Sequence, residues 1–154
     1  MNLKPIHLEE IRLSAMHGAR GMRAKGIECR AVLLLFNSTP AGELGSLTAI
    51  DVENADKNTR TALHRKFARE PDIGAAVLIN EGWQSLILPG QKDIPTTTEG
   101  NPARQEVLLV NVMTAREQWL LVAEIHDNRI DEAQFQKVEN GNLQGRFIRE
   151  EATP

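Results

Sequence analysis

The longest wholly apolar run in this chain is Ala31-Val-Leu-Leu-Leu-Phe36, and it limits the possible folds more than any other feature. Six residues cannot cross a bilayer, which takes about 20 in a helix. The run is apolar at every alternate position and is bounded by Arg30 and by Asn37-Ser-Thr-Pro40, which predicts a strand buried on both sides. A chain holding such a strand must build a sheet around it. Composition agrees: 154 residues, 41% hydrophobic and 25% charged, describe one globular domain. A domain of this size buries roughly 68–70% of its unfolded surface, so one core suffices without metals or cross-links. Residues 1–150 are read as a single domain and residues 151–154 as a short tail.

Upstream of the apolar run, Leu8, Ile11, Ala15, Ala19 and Met22 recur every three or four positions between Pro5 and Lys25, predicting an amphipathic helix that stops at Gly26. Downstream, Leu47–Val52 reads as a second strand after the Pro40/Gly42/Gly45 turn region. Asn54 or Asp56 can then cap a second helix with Ala62, Leu63 and Phe67 inward and Lys57, Arg60, Arg65 and Arg69 outward. Pro71 ends it. The rest reads as strands over Gly74–Leu88, Glu106–Met113 and Gln118–Ile125. A further hairpin is predicted around Asn140-Gly141, and a long loop from Pro89 to Pro102. Clustered strands without βαβ alternation give the expected class. It is α+β, with a mainly antiparallel sheet of five to seven strands and both helices on one face.

Net charge is −3, too acidic for a generic nucleic-acid binder, yet it is unevenly spread. Residues 1–30 hold six Lys/Arg against three Glu, about +3, leaving about −6 for the remainder. Arg12, Arg20, Arg23 and His17 could form a phosphate-facing stripe on the first helix. That stripe has no aromatic for base stacking, and a solvated face or a contact with an acidic surface of the same protein explains it better. The lone Cys29 can form no disulfide within the chain and has no CxxC or Cys/His spacing around it. With no leader pattern at the start of the chain, a cytoplasmic protein is expected.

Motifs for nucleotide or hydrolytic chemistry are missing: there is no GxxxxGK[ST], GxSxG, HExxH or zinc-deaminase signature. No cofactor and no metal is expected. His7 and His17 stand about 15 Å apart along one helix, too far to share an ion, and His64 is expected on the solvent side beside Arg60 and Arg65. The carboxylates are more informative. Alternation puts Val77, Ile79, Glu81 and Trp83 on one sheet face, so a charge shares that face with large apolar groups. Glu81 then either runs out into solvent, pairs with an Arg such as Arg104, or is buried with its proton affinity raised toward general acid–base use. Glu106 leads a face with Leu108, Val110 and Val112, and Glu124 and His126 share one with Leu120 and Val122. If the strand ends adjoin, Glu81, Glu106, Glu124 and His126 could gather around a divalent cation. Antiparallel order lets Glu81 approach Glu106 but leaves Glu124 dependent on the pairing. A PD…(D/E)xK nuclease would want a lysine two residues beyond its second acid, where this chain has Leu108.

Two segments, Ala75-Ala-Val-Leu-Ile-Asn-Glu-Gly-Trp83 and Asn101-Pro-Ala-Arg-Gln-Glu-Val-Leu-Leu-Val-Asn-Val112, together with Gly145-Arg-Phe147, resemble a family of small proteins found in bacteriophages, prophages and bacterial genomes. The resemblance spans residues 30–148 and carries no assigned activity. It implies that Glu81, Trp83, Arg104 and Glu106 form one neighbourhood. On the reading of the residues themselves, Trp83 and Arg104 are binding candidates and Glu81, Glu106 and His126 catalytic ones. The leading expectation is a non-catalytic module that binds a protein partner or itself, as a homodimer, without nucleic acid or membrane. The alternative is a hydrolytic or nucleic-acid-processing enzyme using Glu81 and Glu106.

Overall fold

The computed structural model describes residues 3–85 and 104–139. These form α1 (Pro5–Ala24), β1 (Val32–Ser38), β2 (Leu44–Asp51), α2 (Lys57–Ala68), β3 (Ile73–Ser85), β4 (Arg104–Met113), β5 (Gln118–His126), β6 (Arg129–Ile130) and β7 (Gln136–Lys137). All strand pairs are antiparallel, in the order β2-β1-β3-β4-β5-β6, and β7 pairs with the same outer side of β5 as β6 does. The architecture is α+β, as expected. Among the described residues no helix is long and apolar enough to cross a membrane.

Local chemistry fixes the element ends. Pro5 opens α1, where its missing N–H costs nothing. The Lys4 N–H donates to His7 Nδ1 at 3.1 Å. At the other end Gly26, at φ +73°, donates to the Arg23 carbonyl while Ile27 N–H reaches Met22, a Schellman stop that requires a left-handed residue. Asp56 caps α2 by accepting from Thr59 N–H at 2.7 Å. Thr114 closes the β4–β5 turn, its hydroxyl accepting from the N–H groups of Arg116 and Glu117. Asp127 and Asn128, both at positive φ, make the two-residue turn into β6, a strand that hydrophobic patterning alone missed.

The helices lie on opposite faces of the sheet, which corrects the expectation that they share one. Ile11, Ala15, Met16 and Ala19 of α1 pack with Ala75, Val77, Ile79, Leu108, Val110, Val112, Leu121 and Ala123. Ala68, Leu63 and Phe67 of α2 pack on the other side with Leu33, Leu35, Ala76, Leu78 and Met113. The reason lies in β1 and β3. Residues Ala75 through Ile79 are all buried, so both faces of the central strands need cover, and one helix on each side supplies it. The apolar stripe of α2 is also rotated from the predicted one. Ala62 is exposed while His64 is buried, with its Nε2–H donating to the Ala76 carbonyl at 2.8 Å. His64 is therefore a bridge from helix to sheet and not a solvated side chain. The predicted loop at 89–102 and the hairpin around Asn140-Gly141 lie outside the described residues.

Candidate functional site

The β3–β4 register sets Glu81 opposite Leu108 and Trp83 opposite Glu106, so Glu81 and Glu106 share the α1 face of the sheet. Helix α1 crosses above them and delivers Arg23, which is 7% exposed. Its guanidinium forks onto Glu81, Nε donating to Oε2 at 2.9 Å and Nη2 to Oε1. The same Nη2 lies 3.2 Å from Glu106, and Nη1 donates to Asn128 Oδ1 at 3.0 Å. Glu81 Oε2 also accepts from the Cys29 backbone N–H at 2.9 Å. One cation therefore gathers two strands, the β5–β6 turn and the stretch that leaves α1. Hydrogen bonding to Glu81 holds the Arg23 guanidinium still more firmly protonated than usual.

This geometry answers the question that Glu81 poses in sequence. Its side chain is buried, and the cation that neutralises it is Arg23, not the anticipated Arg104. Arg104 instead lays its guanidinium over Trp83, 4.3 Å from the ring centroid. Trp83 is 45% exposed at the end of the β3–β4 pair, so these two binding candidates form a stacked surface pair beside the buried ion pair. Cys29 borders the cluster. Burial, reinforced by the Glu81 carboxylate, pushes its thiol above the usual cysteine range and away from nucleophilic use.

The four-residue convergence weighed from sequence does not form. Val107 pairs with Glu124, which puts Glu124 and His126 on the α2 face, opposite Glu81 and Glu106. Two separate groups result. Glu28 joins Glu81 and Glu106, one carboxylate oxygen from each lying within 4.8 Å of the others. Exposed His126 sits 3.3 Å from Glu124 and 3.4 Å from Asp131. Either set offers ligands that a divalent cation accepts, but in the first the Arg23 guanidinium already stands among the oxygens.

The other two arginines of α1 are likewise satisfied within the fold. Arg12 bonds Glu9 and Glu132, and Arg20 bonds Glu132 and the Ile130 carbonyl. The three arginines of the stripe thus face acidic groups of their own chain, and His17 is exposed. His7 extends the pattern to the β1–β2 turn. Its Nδ1 accepts from Lys4, which leaves the proton on Nε2 to be donated to Glu43 at 2.8 Å. Arg23 was the key residue missed as a site member, although a signal existed. Arg12, Met16, Ala19 and Arg23, at i, i+4, i+7 and i+11, fall on one helical stripe that continues the apolar face. A surface cleft of about 320 Å³ between Pro5, Leu8, Trp119 and Phe135 holds one carboxylate, Glu9, which is bound to Arg12. No family model, curated protein or solved structure matches the chain, so the resemblance of its strand segments to bacteriophage and bacterial proteins gains no support.

Proposed function

We propose that the protein is a non-catalytic binding and self-associating module in which Glu81 and Glu106 anchor α1 to the sheet. One observation carries this reading: Arg23 forks onto Glu81 and reaches Glu106, so the carboxylates best placed for acid–base work are bound to a permanent cation. A general base must be within reach of a substrate proton and have a proton affinity near the working pH. A buried carboxylate accepting from a guanidinium and a backbone N–H serves holding better than proton transfer. The free Cys29 thiol suits a reducing compartment such as the cytoplasm.

The convergence of Glu28, Glu81 and Glu106 favours a second reading, a divalent-metal hydrolase. Calorimetric titration with Mg²⁺ and Mn²⁺ separates the two. The module reading expects no saturable heat from either ion. A stoichiometric site that disappears in Glu106→Gln overturns it.

A further inference from the structure

Glu124 and His126 lie two residues apart on β5, and the Asp131 N–H donates to the Glu124 carbonyl across the β5–β6 hairpin, so the three side chains share one face of that hairpin. Each offers one ligand atom, all within 4.8 Å of one another. His126 Nε2 is 3.3 Å from Glu124 Oε1 and 3.4 Å from Asp131 Oδ2. Both separations exceed the about 2.7–3.2 Å of an N–H···O hydrogen bond. They match a different spacing. A tetrahedral Zn²⁺ with bonds of about 2.0–2.1 Å keeps its ligand atoms about 3.3–3.4 Å apart.

No cation of the chain takes this place. Among the described residues neither Glu124 nor Asp131 pairs with a lysine or arginine, and His126 is the ion-pair partner of both. Arg129, set opposite His126 by the register, forms no ion pair with either acid. The Glu28, Glu81 and Glu106 group differs here, because Arg23 already bonds two of its members. All three hairpin side chains are exposed, so an ion reaches them without opening the fold.

We propose that Glu124, His126 and Asp131 bind a zinc-class divalent ion, with water in the fourth position. The donor set selects the metal. An imidazole nitrogen suits zinc and its late first-row neighbours, whereas magnesium prefers oxygen ligands throughout, and two carboxylates balance the charge of the ion. No linear zinc motif announces the set, because the hairpin and not the sequence spacing brings Asp131 to Glu124. The bound ion ties β6 to β5 beside Asn128, whose Oδ1 accepts from Arg23 Nη1, and so clamps the turn that the α1 anchor uses.

Calorimetric titration of the untagged full chain with ZnCl₂ reads the site. One ion per chain is expected, lost in His126→Ala and weakened in Glu124→Gln and in Asp131→Asn by at least the roughly 10–100-fold that disturbing an outer-shell partner costs. Co²⁺ in place of Zn²⁺ is expected to give the intense visible bands of tetrahedral coordination. Exposed ion pairs contribute little to stability, so the metal-free urea midpoints of these variants stay near wild type and a lost site is distinct from a lost fold. No saturable Zn²⁺ heat, a site that survives His126→Ala, or only weak octahedral Co²⁺ bands overturns the proposal. Glu106→Gln separates it from the module reading. The zinc site persists in that variant, whereas a site that Glu106→Gln abolishes places the metal beside Glu81 and overturns both.

Discussion

Replacing Glu81 with glutamine tests the anchor most sharply, because it removes a charge while keeping the shape. The carboxylate accepts three hydrogen bonds, two from the Arg23 guanidinium and one from the Cys29 N–H. Bonds to a charged group contribute about 1.5–3 kcal/mol each and neutral ones about 0.5–1.5. Weakening three of them by about 1 kcal/mol each gives about 3 kcal/mol. Glu106, 3.2 Å from Nη2, remains as a counter-ion and returns part of that, so the expected loss is about 2–3 kcal/mol. This lies just below the 3–5 kcal/mol typical when a buried ion pair loses one partner. Equilibrium urea denaturation followed by circular dichroism reads the change as a lower midpoint at unchanged slope. Glu81→Leu combined with Arg23→Met should cost less than the sum of the single changes, since neither charge is then left alone. A Glu81→Gln protein within about 0.5 kcal/mol of wild type would refute the reasoning.

Three further outcomes follow from other parts of the fold. Gly26→Ala puts a side chain on a residue at φ +73° and should cost about 1–2 kcal/mol by urea denaturation, with no Cβ clash to add to it. His64→Leu keeps the packing volume but strips the Ala76 carbonyl of its donor, for an expected loss of about 1–3 kcal/mol and faster amide exchange along α2. On acidification, Glu9, Glu43, Asp51, Asp56 and Glu132 act together. Bonds to Arg12, His7, the Glu53 N–H, the Thr59 N–H and Arg20 respectively hold each below its ordinary value of 4.5 or 3.8. The unfolded chain then binds more protons in that range, so stability is complete above pH 4.5 and falls as pH drops through the lower folded values. Urea midpoints from pH 6 to pH 3 should show this, with the effect damped by salt because these groups are exposed.

Much of the fold was legible because burial imposes a period. The apolar run 31–36, the nearly continuous apolar stretch 107–113 and the turn spacing around Thr114 each determine an element from local chemistry. The side of the sheet taken by each helix was not legible, because strands apolar on both faces look the same whichever face a given helix covers. The site was half legible. Antiparallel order let Glu81 approach Glu106, while the face taken by Glu124 and His126 depended on the β4–β5 register, which local sequence does not determine. Its cation was missed because Arg23 had been grouped by charge with Arg12 and Arg20 as a surface stripe, although its spacing from Met16 and Ala19 placed it on the packed side. Long side chains can carry a charge across an apolar face to a buried acid, and hydrophobic periodicity does not register that reach.

The central claim is that the Glu81–Glu106 pair holds Arg23 and not a substrate or a metal, and the Arg23 Nε–H proton reports on it directly. In ¹H–¹⁵N spectra of the arginine side chains, the account predicts an Arg23 Nε–H that exchanges slowly with water, remains unmoved by millimolar Mg²⁺ and becomes fast in Glu81→Gln. Exchange at the rate of a solvent-exposed arginine, or a shift that saturates with Mg²⁺, would contradict it.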